Sequence, residues 1–146
     1  MSAGGDSSPL IRDARVDDAE AIARLLGQLG YPADAASVAR RLELLGDDRL
    51  VVADVGGAVV GLAQLHVAPS LEYDRPAAKL AAIVVDEAQR GHGVGRALVD
   101  AMEAEARARG CELLYLTTAE RRADAHAFYE RLGLEYTGRR YAKRLT

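Results

Sequence analysis

A chain of 146 residues is long enough to bury a core and short enough to fold as one domain, and with 49% apolar and 28% charged residues it is excluded from the disordered class. Nineteen Lys and Arg against 22 Asp and Glu leave a net charge of −3, and with no five-residue run of Lys and Arg the expectation is no nucleic-acid partner, so a polyanionic ligand has to be held by local geometry. The single cysteine, Cys111, excludes an internal disulfide, and its neighbours Leu113 and Leu114 read as the setting of a core thiol rather than a nucleophile.

Residues 1–9 lack the cationic start and apolar stretch of an export signal and read as a loose tail. With no apolar run long enough to cross a bilayer, the expectation is a soluble, cytoplasmic protein with no membrane partner. Leu10 to Ala14 predicts a first strand. Asp17 and Glu20 form an Asp-type capping box ahead of Ile22, Leu25, Leu26 and Leu29, the spacing of one helix face. Gly30-Tyr31-Pro32 ends that helix, and a second starts near Asp34 with Val38, Leu42 and Leu45 inward until Gly46. Leu50 to Val55 and Ala58 to Leu65, joined by Gly56-Gly57, predict a hairpin, since paired glycines supply the positive φ of a two-residue turn. After a Pro-bounded loop, Leu80 to Val85 is apolar at consecutive positions and predicts a central strand buried on both faces.

Val94, Ala97, Leu98, Ala101 and Met102 then repeat at helical spacing up to Arg109, with Gly110 as the stop. Glu112 to Thr118 predicts a strand and Asp124 to Leu132 a helix closed by Gly133; Leu134 to Tyr136 and Arg140 to Leu145 are strand-like. This order predicts an α/β fold, a mixed and mostly antiparallel central sheet flanked by helices on both faces. The whole of 1–146 is one domain.

The turn between the central strand and the long helix carries the chemistry. Free amides at a helix start, a positive helix end and glycines at alternate positions make an anion site, to which Arg90, His92 and Arg96 add positive character. The spacing Gly91-His92-Gly93-Val94-Gly95 misses both the dinucleotide fingerprint and the P-loop.

Residues Val84 to Leu98 resemble the acyl-CoA-binding segment of the GNAT N-acetyltransferase superfamily, whose pattern Gln/Arg-x-x-Gly-x-Gly/Ala is met by Arg90, Gly93 and Gly95. A second family segment, Ala-x-x-Phe-Tyr-x-x-x-Gly-Phe, is matched by Ala125, Phe128, Tyr129 and Gly133, with Leu134 in place of the last Phe. The resemblance covers the second half of the chain; the first half agrees in element order. It implies a GNAT-like fold and transfer of an acetyl group from acetyl-CoA, as co-substrate, to a primary amine of a small molecule or peptide. The alternatives are a CoA-binding sensor without efficient transfer, or a protein lysine or N-terminal acetyltransferase. The implied cofactor-binding residues are Ile83, Val84 and Val85 on the strand and Arg90, Gly91, His92, Gly93, Val94, Gly95 and Arg96 on the turn. Family members often carry Asn where this chain has Arg122, which either reaches the cofactor in its place or leaves that contact unmade. A homodimer is also implied, because the last strands often pair between subunits in this family.

Tyr129 matches the family's tyrosine and suits a general acid, since a phenol with pKa of about 10 can protonate a departing thiolate whose thiol has pKa of about 8.5. Adjacent residues lie about 100° apart on a helix, so Phe128 is expected in the core and Tyr129 in the cleft. Glu72 and Asp74, in the loop before the central strand, are candidates to attract a cationic amine and take its proton, or are solvated loop residues. Tyr31 and Asp34 are weaker acceptor-site candidates. His66 is a candidate for the acceptor site or an ordinary half-exposed strand histidine, and Thr117 and Thr118 are ligand-orienting or merely β-branched strand residues. His126 is expected at the surface. No metal-ligand spacing occurs, and no metal is expected.

Overall fold

A computed structural model describes residues 8–117, 123–138 and 140–146. Strands β1 (Leu10–Asp13), β2 (Arg49–Val55), β3 (Ala58–Ala68), β4 (Ala77–Val85) and β5 (Leu113–Tyr115) form one sheet in that spatial order. The first three pairings are antiparallel and the last, β4 with β5, is parallel. Helices α1 (Ala19–Leu29) and α2 (Ala35–Glu43) cover one face, closing over Val52, Leu62 and Val84. Helix α3 (Val94–Ala108) covers the other through Val94, Leu98, Val99 and Met102 against Val51, Ala63, Leu65 and Leu80. Helix α4 (Ala123–Arg131) follows β5. This is the mixed, mostly antiparallel sheet with helices on both faces that the sequence predicts.

Local chemistry explains most boundaries. The β2–β3 turn has both glycines at positive φ, 60° and 92°, and Gly57 N–H donates to Asp54 Oδ1 at 2.8 Å. Asp34 caps α2 by accepting from Ser37 N–H at 2.7 Å. The expected Asp17–Glu20 capping box does not form. A single 3-10 turn, Val16–Asp18, precedes α1, and Asp18 spends its carboxylate elsewhere. It accepts from both terminal nitrogens of Arg12, each at 2.9 Å, and from Arg15 N–H at 2.8 Å. The bidentate guanidinium pair and the bond that closes the 3-10 turn on Arg15 are thus made by one carboxylate.

Two expectations about strands are corrected. The strand read over Glu112 to Thr118 is reduced to Leu113–Tyr115, with Thr118 outside the described residues, and Leu134 to Tyr136 and Arg140 to Leu145 are not in strands. Tyr136, Tyr141 and Leu145 are instead exposed. A three-residue edge strand offers too short a ladder to hold them, whatever their β-propensity. The central strand extends back to Ala77, and Ala81 on it is exposed rather than buried.

Asp18 is the one buried charged residue among those described, 6% exposed, and Arg12 bridges it to Asp54 of β2 at 3.2 Å. The Arg12 hydrogen bonds hold the Asp18 carboxyl below the usual carboxylate range, against the opposing effect of burial. Asp18→Ala should therefore cost about 2 kcal/mol or more in urea unfolding at neutral pH. Because the folded-state pKa is the lower one, the contribution is fully present above the unfolded value of about 3.9 and is lost as pH falls through the folded value. The gap between wild type and variant should accordingly narrow only in strong acid.

Candidate active site

The site begins where two neighbouring strands part. β4 pairs with β3 from Ala77 to Val85, whereas its register with β5 covers only Ala77, Ala78 and Lys79. Among the described residues, the β5-facing edge of β4 is therefore open from Leu80 onward. Ala81 is the irregularity in this strand: Leu65 pairs with Leu80 and Gln64 with Ala82, so Ala81 is bulged out of the ladder. A bulge beside an opening re-aims backbone groups toward it.

At the far end of the open edge, the chain turns into α3. The turn is tied to the other face of the sheet: Asp86 N–H donates to Val60 O at 2.8 Å, Arg24 of α1 bonds the Asp86 carboxylate, and Glu87 N–H donates to Gln28 Oε1 at 3.0 Å. The Ala88 N–H bond and the Arg24 guanidinium keep the Asp86 carboxyl below its ordinary range. Helix α3 starts at Gly93, φ +83°, where no side chain caps it. Its first helical bond runs from Ala97 N–H to Gly93 O at 3.1 Å, so the amides of Val94, Gly95 and Arg96 lead into the cleft with the positive end of a 15-residue helix behind them.

A cleft of about 380 Å³ occupies this junction, lined by Ile83, Val84, Val85, Gln89, Arg90, Gly91, Gly93, Val94, Gly95, Arg96, Phe128, Tyr129 and Arg131. It brings together all the expected cofactor-binding residues except two. His92 is exposed and does not line it, and Arg122 lies outside the described residues. Three cationic side chains meet there: Arg90, Arg96 and, from α4, Arg131, which sequence reasoning missed. Its spacing three residues after Phe128 places it on the same helix face and was the available signal.

Phe128 also departs from expectation. It packs against the α3-side core and at the same time lines the cleft, with its ring 5.4 Å from that of Tyr129 in an edge-on arrangement. Gly95 is what admits it. A Cβ at position 95 would stand 2.9 Å from Phe128 Cζ, so this third glycine makes room for an aromatic ring, and Gly91 and Gly93 are the ones with positive φ.

Tyr129 lines this cleft and also a second, of about 650 Å³, bounded by β5, α4, residues 132–138 and Tyr73. The other candidates are scattered. Glu72 and Asp74 are exposed and line neither cleft, although Tyr73 between them lines the larger one. Their loop is fixed by Arg75 N–H donating to Glu112 Oε1 at 2.8 Å. Tyr31 is exposed and Asp34 is engaged as the α2 cap. Thr117 lines the larger cleft, while His126, expected at the surface, is half-buried there and stacks on Tyr136 at 6.4 Å. Cys111 is half-buried against the core. No group of three or more potential metal ligands occurs among the described residues, and no helix among them is long and apolar enough to cross a membrane.

The comparisons agree with this geometry. The model of the Acetyltransferase (GNAT) family matches residues 18–134. An IAA acetyltransferase of Azospirillum brasilense is 33% identical over 132 residues, 90% of this chain and 82% of that protein. An aminoalkylphosphonate N-acetyltransferase of Salmonella typhimurium is 37% identical over 89 residues, and that match spans 61% of this chain and only 58% of the relative's length. A crystal structure of a transcriptional regulator from Bacillus halodurans C-125 superposes with a TM-score of 0.86 at 29% identity, covering 94% of this chain and 99% of that one.

The Gly95–Phe128 contact sets two magnitudes against each other. Ala is preferred over Gly inside a helix by about 1 kcal/mol, whereas forcing a ring aside in a packed site costs about 1–3 kcal/mol. Gly95→Ala should therefore destabilise the native protein in thermal unfolding, but stabilise it in a Phe128→Ala background, where only the helix preference remains. Additive effects of the two changes would show that the ring does not rest on position 95.

Proposed function

The chain belongs to the GNAT acetyltransferase family, and from that premise we propose that it transfers an acetyl group from acetyl-CoA to a primary amine of a small molecule or peptide. The observation that carries this reading is the position of Tyr129, where the arginine-lined cleft and the larger one beside β5 meet. The smaller cleft fits a CoA diphosphate on the donor chemistry of its walls: helix-start amides, Arg90, Arg96 and Arg131. The open edge of β4 offers backbone partners to an extended amide-containing arm.

When bound, acetyl-CoA supplies a thioester whose carbonyl accepts a nucleophile. The chain's own groups do the rest. Amides at the start of α3 and the three arginines bind the anionic end. In this reading a backbone N–H near Val84 or Val85 polarises the thioester carbonyl. Tyr129 donates its phenolic proton to the departing sulfur. Glu72 and Asp74, exposed on either side of Tyr73, draw a cationic amine toward the larger cleft. Support for an amine comes from the Salmonella relative, whose name states N-acetyl transfer to an aminoalkylphosphonate. The same reading places the enzyme in the cytoplasm and pairs it as a homodimer through the exposed Tyr136, Tyr141 and Leu145.

A second reading, a CoA-binding regulatory module, is favoured by the likeness to the Bacillus halodurans transcriptional regulator. Thiol release from acetyl-CoA across a panel of small amines, amino acids and peptides separates the two: turnover supports the enzyme, and tight acetyl-CoA binding with no turnover on any amine supports the module. Given an accepted amine, Tyr129→Phe should lower kcat by roughly a hundredfold while acetyl-CoA affinity measured by calorimetry stays near the wild-type value. Wild-type turnover in that variant would withdraw the general-acid role.

A further inference from the structure

One polar constellation, on β3 and the connection before β2, is not used by the roles above. His66 of β3 bonds through Nδ1 to Asp48 Oδ1 at 2.6 Å, and Gln64 Nε2 donates to the other Asp48 oxygen at 2.8 Å. The Asp48 side chain is 15% exposed and the His66 side chain 53%. A carboxylate only accepts, so Nδ1 carries the ring proton and the lone pair sits on Nε2, on the side of the ring left open. Asp48 remains ionised: burial opposes its charge, but hydrogen bonds from His66 and Gln64 and the charge of Arg109 hold its carboxyl below the ordinary value.

Placement on the sheet gives this pair its meaning. His66 is in register with Lys79 of β4, and Lys79 with Tyr115 of β5, so the three side chains share one face along a single rung. That rung is the last at which β4 and β5 are paired, and the bulged Ala81 comes two residues later, after Leu80. Tyr115 lines the larger cleft. The histidine thus stands beside the fork of the strands, on the face opposite α3, with Lys79 as its cationic neighbour. Arg109 approaches from the end of α3, where its Nη1 donates to Asp47 O at 3.1 Å.

We propose that His66, oriented by Asp48, is the general base that takes a proton from the amine acceptor; this rests on the transferase reading above. The acceptor ammonium gives one proton to His66 Nε2, which passes it to solvent. The neutral amine forms the C–N bond to the thioester carbonyl carbon as the C–S bond breaks. The second nitrogen proton is lost and the sulfur gains one, so each amide formed releases one proton overall. Asp48 is a positioning residue in this scheme: it fixes the tautomer and steadies the imidazolium. Glu72 and Asp74 keep only the attraction of the amine.

The test compares wild type, His66→Gln and Asp48→Asn in kcat/KM for an accepted amine between pH 5.5 and 9.5, with acetyl-CoA affinity by calorimetry alongside. His66→Gln should lose roughly a hundredfold or more in kcat/KM, lose the rising limb of the pH profile, and bind acetyl-CoA as wild type does. Asp48→Asn retains a hydrogen-bond acceptor for Nδ1 but no charge, and should change that limb while leaving acetyl-CoA binding as in wild type. Wild type active on an amine, with either variant reproducing its pH profile, overturns the base assignment and leaves the transferase reading standing. Wild type inactive on every amine while binding acetyl-CoA overturns both.

Discussion

Everything at this site depends on one strand being hydrogen-bonded along only one of its edges. β4 is in register with β3 from Ala77 to Val85 except at the bulged Ala81, and with β5 for three residues. Backbone amides and carbonyls left open in the middle of a sheet are strong, obligatory hydrogen-bonding groups, and a protein that maintains such an edge does so where something else pairs with it. The opening is held by rigidity on the opposite side: the β2–β3–β4 ladders, two helices across one face, and the Arg24 and Gln28 bonds from α1 to the turn after β4. The β4–β3 ladder survives the bulge at Ala81 intact on either side, so the irregularity is absorbed toward the cleft.

Local geometry overrides global charge here. The net charge is −3, yet the smaller cleft collects three arginines from the turn, α3 and α4, together with the start of a helix, and among the described residues no carboxylate lines it. Nearby acidic groups are occupied elsewhere, Asp86 by Arg24 and Ala88 N–H. A polyanion meets a positive enclosure on an acidic protein. The larger cleft differs in character, with Glu103, Glu130 and Glu135 among its walls beside the rings of Tyr73, Tyr115, His126, Tyr129 and Tyr136.

Where the sequence was legible, the signal was local. The two-glycine hairpin, the helical spacing from Val94 to Met102 and the Gly-rich turn are written within a few residues and were read at close to their observed bounds. What was not legible was long-range competition. Asp18 looked like neither cap nor core until Arg12 claimed it. His66 read as either an acceptor-site candidate or an ordinary strand histidine, and no local signal pointed to Asp48, from the connection before β2, at its ring. Gly95 read as a phosphate-approach glycine because the phenylalanine that needs its space comes 33 residues later and packs from another helix. The C-terminal strands failed for the opposite reason: local β-propensity was present, but the neighbouring edge was too short to receive them.

The three-residue pairing of β5 also bears on how the protein fares in a cell. Only Leu113, Leu114 and Tyr115 tie that strand to the sheet, and the helix beyond it rests on α3 largely through Phe128 against Gly95. Peeling β5 and α4 away breaks few backbone bonds, so this opening lies well below global unfolding in free energy. A ligand that bridges β4 to α4 adds its binding energy to that small gap by mass action. Quality-control proteases act on opened molecules, so the lifetime of this protein should follow the supply of the ligand that fills its cleft, and a shortage of that ligand would be answered by fewer copies of the protein.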